Sequence, residues 1–230
     1  MATKKARYPV HGTRYLKNKK ILITAGPTWV SIDSVRVISN IATGKTGILL
    51  AEELQRLGAK VTLLLGAVEA CCLNKNIRLI RFRFFEELKN IIIKELRSKK
   101  YDVLIHSAAV SDYRPLRVDS QKVKSGKKIW QINLVPTLKI IDLIVKLKSS
   151  LFLVGFKFEP QAGKKALIEE TKNLIKRVKL DLAVANTVSD KSRYRAYIID
   201  NYNQIYGPLF NKKSLVDKLS GLIGGNLWKN

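Results

Sequence analysis

The chain has 230 residues, 46% hydrophobic and 27% charged, which suits one large core or two small ones and excludes a disordered polar chain or a collagen-like one. Its 43 lysines and arginines against 18 aspartates and glutamates give a formal net charge of +25, which attracts anions, nucleic acid among them, without specifying one. No run approaches the roughly 18 apolar residues of a membrane span, no apolar stretch follows the basic start, and Cys71 and Cys72 are adjacent, so a reduced cytoplasmic setting is expected.

The densest basic block is Lys4, Lys5, Arg7, Arg14, Lys17, Lys19 and Lys20. It reads as an arm over residues 1–19, either loose or packed down. Residues 21–25 predict a buried strand that runs into Gly26-Pro27 and a polar loop to Gly44. Leu50, Leu54 and Leu57 recur at helical spacing between Gly47 and Leu57, and Gly58 stands where a helix ends. Residues 60–65 and 77–80 predict strands, 85–97 an amphipathic helix, and 102–106 a strand opening into the loop 107–115. Residues 128–134 alternate like an exposed strand, and 136–147 read as a helix. Residues 151–155 and 181–185 predict buried strands around the helix 164–178. Residues 195–200 and 204–206 predict a hairpin, and 213–222 a last helix. Gly224-Gly225 is expected to open a frayed end, with 226–230 a tail and the domain proper over 20–225.

Strands alternating with helices predict an α/β fold: a doubly wound, Rossmann-like, mostly parallel sheet with helices on both faces and a small β-hairpin extension. Ligands in such sheets bind outside the carboxyl ends of the strands. Gly26-Pro-Thr28, Ser107-Ala-Ala-Val-Ser-Asp112, Gly155-Phe156 and Asn186-Thr187 should converge there.

Gly44-Lys45-Thr46 imitates the end of a P-loop, but Ser39 stands where that pattern needs its first glycine, so a Walker nucleoside triphosphatase is not expected. The dinucleotide fingerprint fails because Pro27 follows Gly26. What remains is a long loop feeding Gly44, Lys45 and Gly47 into a helix start, whose backbone amides suit a phosphate or carboxylate. The basic residues otherwise lie mostly as lysines interleaved with Ile and Leu, without zinc-finger spacing or an aromatic ribonucleoprotein motif, and nucleic acid is not the expected partner.

Ile23-Thr-Ala-Gly-Pro-Thr28, Ile32-Asp-Ser-Val-Arg36, Ile38-Ser-Asn40 and Thr43-Gly-Lys-Thr-Gly47 resemble the opening signature of phosphopantothenoylcysteine synthetase. Ala108-Ala-Val-Ser-Asp-Tyr113, Lys122-Val-Lys124, Gly155-Phe156 with Glu159, and Leu180-Asp-Leu-Ala-Val-Ala-Asn186 resemble its later blocks, in order, over about residues 20–222. The resemblance implies a ligase that joins 4′-phosphopantothenate to cysteine in coenzyme A biosynthesis. The substrate carboxylate attacks a nucleoside triphosphate (CTP before ATP), pyrophosphate leaves, and cysteine's amine then displaces the nucleotide from the acyl-nucleotide. No protein nucleophile is required, and catalysis is positioning and charge neutralisation.

The resemblance also implies the site. Asn40 is similar to an asparagine that contacts the acyl-nucleotide, or else caps its loop. Arg36 would hold a substrate carboxylate or phosphate, or is an ordinary surface arginine. Lys122 resembles the lysine of a mobile flap over the triphosphate, with Lys124, Lys127 and Lys128 after it, or belongs to an exposed basic hairpin. Asp112 and Ala108 correspond to nucleotide contacts, as does Phe156 beside the base, although a turn aspartate and a core phenylalanine would look the same. Gly26 and the stretch Leu138-Lys139-Ile140 belong to the same set, and Lys172 and Lys176 have the spacing of a nucleotide-binding pair that Lys179 rivals. Gly44, Lys45 and Gly47 fall on the substrate side.

His106 either donates to a phosphate or is a satisfied strand-end histidine, and His11 is the only other. No protein metal site is expected; Mg²⁺ would travel with the triphosphate. A stand-alone synthetase, a homodimer and a separate decarboxylase partner are the expected setting, with residues 128–134 and the hairpin after Asn186 as candidate dimer arms. Val30 replaces a family glutamate and Leu138 a proline, which keeps an inactive binding homologue, and behind it an RNA-binding protein, as alternatives.

Overall fold

The computed structural model describes residues 15–69, 73–147, 150–189 and 193–227. The expectations placed on Cys71, Cys72, His11 and most of the basic arm lie outside them. In chain order the strands are β1 (Lys20–Ala25), β2 (Trp29–Ser31), β3 (Val37–Ser39), β4 (Lys60–Leu65), β5 (Arg78–Arg81) and β6 (Val103–His106). They continue as β7 (Tyr113–Pro115), β8 (Leu134–Pro136), β9 (Phe152–Phe158), β10 (Leu182–Val188), β11 (Tyr194–Asp200) and β12 (Ile205–Leu209). The helices are α1 (Lys45–Arg56), α2 (Phe85–Ser98), α3 (Ile140–Leu147), α4 (Lys164–Val178) and α5 (Lys212–Leu227).

Eight strands form one sheet in the order β12-β11-β10-β9-β6-β1-β4-β5. The six from β10 to β5 are parallel, and β11 and β12 add an antiparallel margin. The expected hairpin extension is therefore the edge of the main sheet. Side chains alternate across the pleat, so Ile21, Ile23 and Ala25 pack toward α1 and α5, while Leu22 packs toward α2, α3 and α4. Both faces are covered, which is why the central strands read as unbroken apolar runs. Leu16, ahead of β1, is fully buried, and its N–H donates to the Leu57 carbonyl at 3.0 Å.

Four local expectations change. The polar loop after β1 holds the β2–β3 hairpin, too short for its alternation to be read from the sequence. Residues 128–133 form no strand. Only Leu134–Pro136 pairs, with Tyr113–Pro115, and Ile129 is exposed with no strand beside it. The helix expected over 136–147 starts at Ile140, because Pro136 closes β8 and the Thr137 N–H and hydroxyl bond the Asp112 and Ser111 carbonyls. Finally, α5 runs through Gly224-Gly225 to Leu227. The Tyr15 ring lies where a Cβ on Gly224 would stand, its nearest atom 2.2 Å away, so this glycine permits a close approach and does not end the helix.

Candidate active site

The sheet order reverses direction at β1, where the chain goes first to β4 and later to β6 on the other side. A crevice at such a switch point is where an open α/β sheet binds ligands. Here the loops leaving β1 and β6 are sewn together. The Ala109 N–H donates to the Gly26 carbonyl at 2.9 Å and the Thr28 N–H to the Ala109 carbonyl at 3.2 Å. Beneath them the buried Thr28 hydroxyl accepts the Ser111 N–H at 2.9 Å, and the Ser111 hydroxyl donates to the Thr28 carbonyl at 3.1 Å.

Asn40 follows β3 and reaches this seam. Its amide donates to both the Ala109 and Val110 carbonyls, each at 3.1 Å. Two carbonyl acceptors leave Nδ2 no spare hydrogen and turn Oδ1 away from them. Both Nδ2 hydrogens of Asn40 are thus spent on the β6 loop, and its remaining polar atom, Oδ1, is an acceptor.

The β2–β3 turn is organised by Asp33, which is 4% exposed. Its carboxylate accepts the N–H groups of Val35 at 2.9 Å, Arg36 at 2.8 Å and Val123 at 3.0 Å, together with the Arg36 guanidinium. Burial alone would raise the Asp33 pKa; the Val35 and Val123 N–H groups and Arg36 outweigh it and hold the carboxyl down at about 2. Arg36 also donates to the Val123 carbonyl at 3.2 Å and stacks over the Trp130 ring, 5.0 Å from its centre. Val123 is buried, whereas Lys122 and Lys124 on either side are exposed. The segment 116–133 therefore leaves the β7–β8 hairpin, crosses the Asp33 turn and returns.

A cavity of about 520 Å³ opens outside the carboxyl ends of β6 and β9. It brings together Ala108, Asp112, Leu138, Lys139, Ile140 and Phe156 from segments far apart in sequence. Lys139 Nζ pairs with Asp112 Oδ1 at 2.6 Å. The face of α4 in the cavity carries Asn173 and Arg177, not Lys172 and Lys176, which sit at other phases of the helix. Sequence reading also missed Lys157, which lines the cavity and pairs with Glu159 at 2.7 Å. Its only signal was a cation inside an otherwise apolar strand.

On the other side of the seam α1 begins. Gly44 caps it at φ 67° with no side-chain cap and no acidic residue in the first turn, so the backbone N–H groups of that turn have few protein acceptors. Gly47 is needed for packing: a Cβ there would stand 2.4 Å from the Ala25 Cβ and 2.9 Å from the Ser107 hydroxyl. Lys212, at the start of α5, has its pKa lowered by burial and by the charge of Lys45, which places a second cation beside this helix start. Nothing local in the chain signals that pairing, since the two lysines lie far apart in sequence.

His106 lines the cavity at the ends of β6 and β9, half-buried, with one ring nitrogen held. Its Nδ1 hydrogen-bonds the Thr24 hydroxyl at 2.8 Å, and burial lowers its pKa to about 4. Among the described residues no group of three or more His, Cys, Asp or Glu could hold a metal, and no helix is long and apolar enough to cross a membrane. Val30, where the resembling family has glutamate, is buried in the core with β2.

The profile of the DNA/pantothenate metabolism flavoprotein C-terminal domain matches residues 16–221. The chain is 40% identical over 173 residues to the coenzyme A biosynthesis bifunctional protein CoaBC of Thermococcus kodakarensis, covering 75% of this chain and 42% of that protein. It is 36% identical over 197 residues to a cysteine/cysteine sulfinic acid decarboxylase of an unknown prokaryotic organism, covering 83% and 53%. The chain thus spans about half the length of the curated relatives it matches. The crystal structure of the C-terminal domain of CoaBC superposes with a TM-score of 0.78 at 26% identity, covering 95% of this chain and all of that one. With the matched profile running through the seam, the turn at Asp33 and the cavity, the chain belongs to the DNA/pantothenate metabolism flavoprotein C-terminal domain family, the phosphopantothenoylcysteine synthetase domain that its motifs resemble.

Proposed function

We propose that the chain is a phosphopantothenate–cysteine ligase, using a nucleoside triphosphate, CTP before ATP, to activate the 4′-phosphopantothenate carboxylate. The observation that carries the reading is the cavity beside the β1–β6 seam. Six of the residues expected to contact nucleotide, Ala108, Asp112, Leu138, Lys139, Ile140 and Phe156, line it, and Asn40 bonds the loop that carries Ala108. The 40% identity over 173 residues to a coenzyme A biosynthesis bifunctional protein supports the reading.

In this reading the nucleotide lies between Ala108, Phe156 and the Leu138–Ile140 stretch, with Gly26 on the floor. Lys139, Arg177 and the flap lysine Lys122 meet its phosphates. The substrate's anionic groups face Gly44, Lys45, Gly47 and the Arg36 N–H groups not spent on Asp33 and Val123. A carboxylate oxygen attacks the α-phosphorus and the bond to pyrophosphate breaks. Cysteine's amine then attacks the acyl carbon, the acyl–oxygen bond breaks, nucleoside monophosphate leaves, and the amine loses its proton. Asn40 fixes the β6 loop that carries Ala108, so the acyl-nucleotide meets a backbone already in place. Mg²⁺ would ride on the triphosphate and meet at most a carboxylate such as Asp112.

A cytoplasmic homodimer is part of the proposal. Ile41 is fully exposed, and Val35, Val118, Ile129 and Leu134 are exposed around the β2–β3 and β7–β8 hairpins, an apolar face that a second copy would cover. A decarboxylase acting on the amide product would be the functional neighbour. The test is to mix protein, 4′-phosphopantothenate, Mg²⁺ and CTP or ATP, with and without cysteine, and to measure pyrophosphate and product mass. Cysteine-dependent amide is expected; no pyrophosphate from any combination would leave a binding homologue as the better reading.

A further inference from the structure

We propose that a second cavity, at the amino ends of β1 and β4, is a binding site for a small polyanion of the oligophosphate type. The inference goes beyond the ligase reading and does not depend on it. The cavity has a volume of about 590 Å³, within the range of small-molecule sites. It opens at the start of β1, whereas the seam lies past that strand's end. At about 3.3 Å per residue, the six-residue strand puts roughly 17 Å between the two, so an ion held here does not meet the reacting atoms. Lys20, Lys60, Arg78, Lys99 and Lys100 line the cavity, and none of its described lining residues is acidic.

The sheet register brings these cations together. Lys20 of β1 stands beside Lys60 of β4 in a parallel pair, so both side chains leave the same face one strand spacing apart. Thr62 comes next on that face and accepts the Tyr101 hydroxyl at 3.3 Å, just after α2 ends in Lys99 and Lys100. The carboxylate these groups share is Glu95, 3% exposed. It accepts from the Arg78 guanidinium at 2.7 and 3.0 Å and from the Tyr101 hydroxyl, and it pairs with Lys99 at 3.2 Å. Asp102, nearby, is engaged by the Lys20 N–H at 2.7 Å and lies 3.9 Å from Lys19. The side chains of Lys20, Lys60 and Lys100 have no hydrogen bond or ion pair among the described residues.

Like charges on neighbouring strands oppose folding. The negative end of the α2 dipole accounts for Lys99 and Lys100 but not for Lys20 and Lys60. A lysine pair that the fold does not use, set in a concave site where fields add, fits an anion from outside. Three free ammonium groups call for three or more negative charges, and a phosphate chain carries that many in a small volume. A nucleic acid strand fits less well, because it needs a long basic track and open ring faces for stacking. Tyr101, the aromatic residue of the lining, is partly buried and gives its hydroxyl to Glu95.

The test is calorimetric titration with inorganic tripolyphosphate of wild type, Lys60→Gln, the double variant Lys20→Gln/Lys60→Gln, and Lys139→Gln as a control at the nucleotide cavity. The Kd should rise about tenfold in Lys60→Gln, the worth of one charge-assisted contact, and about tenfold again in the double variant. It should be unchanged in Lys139→Gln. Titration with ATP separates the two sources of such a chain: a loss in the double variant equal to that for tripolyphosphate assigns the bare phosphates, and a larger one assigns a nucleotide. Without any anion the double variant should melt no lower than wild type, since it loses only a repulsion. Tripolyphosphate should raise the midpoint of wild type more than that of the variant. Equal affinity in wild type and the double variant overturns the site. So does a loss confined to Lys139→Gln, which would put all the binding at the nucleotide cavity. A double variant that melts lower without anion overturns it too, because the lysines would then serve the fold.

Discussion

Lys139 and Asp112 meet at 2.6 Å at the mouth of the cavity, although 27 residues separate them. Both are about half exposed, so the pair adds little to stability, on the order of 0.2–1 kcal/mol. Its position matters more. Asp112 ends the loop from β6, Lys139 precedes α3, and the pair sets the width of the opening between them. Lys139→Ala should leave the denaturation midpoint almost unchanged while raising the triphosphate KM about tenfold, the worth of one charge-assisted contact. An unchanged KM would remove Lys139 from the nucleotide site.

Asn40→Ala separates positioning from folding. Two hydrogen bonds to backbone carbonyls disappear at an exposed position, a loss of about 1–2 kcal/mol at most. Amide formation should fall by roughly a hundredfold or more, as for loss of a group that orders a transition-state contact. Asn40→Asp should be as poor, because a carboxylate offers no hydrogen to the Ala109 and Val110 carbonyls and repels an anionic intermediate. Near wild-type turnover in either variant would end the assignment.

The sheet was legible because its strands are buried on both faces. The runs at 21–25, 60–65 and 102–106 had no other reading, and their order placed the site. The approach of Ala108 to Phe156 followed from that order once the motifs were matched. Short-range patterns failed where tertiary contacts decide. Ile129 and Trp130 imitate strand alternation, but what places Trp130 is Arg36, more than 90 residues earlier. Lys172 and Lys176 have the spacing of a pair, yet the phase of α4, set by the buried Leu167, Ile168 and Ile175, turns Asn173 and Arg177 to the cavity. Asp33 was read only as one letter of a motif, because nothing local announces that its second oxygen serves Val123.

Gly47→Ala tests the contact that lets α1 start against β1. The added methyl would overlap Ala25 and crowd Ser107, whose hydroxyl donates to the Thr24 carbonyl at 2.7 Å. Backbone has to move, at a cost of about 1–3 kcal/mol, and the displaced helix start should weaken binding of the substrate's anionic end. Urea denaturation reads the first effect and the substrate KM the second. A midpoint equal to wild type would show that the helix has more room than the structure gives it.

Acid should unfold the protein in two steps, the first set by His106. Burial holds its pKa at about 4, against an ordinary 6.5, so the folded state keeps it neutral. Between these values the unfolded chain takes up a proton that the folded one refuses, and stability is lost as pH falls through that window. Glu95 acts lower down. Burial alone would raise its pKa, but Arg78, Tyr101 and Lys99 outweigh burial and hold it at about 2, against an ordinary 4.5. Its contribution is complete above about 4.5 and disappears as pH falls toward 2; Asp33, also held at about 2, behaves the same way. Urea midpoints measured across this range should therefore decline first between pH 6.5 and 4, then more steeply below. His106→Gln should remove the upper decline and keep the lower one. Arg78→Met should do the reverse, reducing stability most near neutral pH, because it leaves the buried Glu95 carboxylate with only Lys99 and Tyr101. A wild-type curve that is flat down to pH 4.5 would show that His106 is more solvated than its contacts imply.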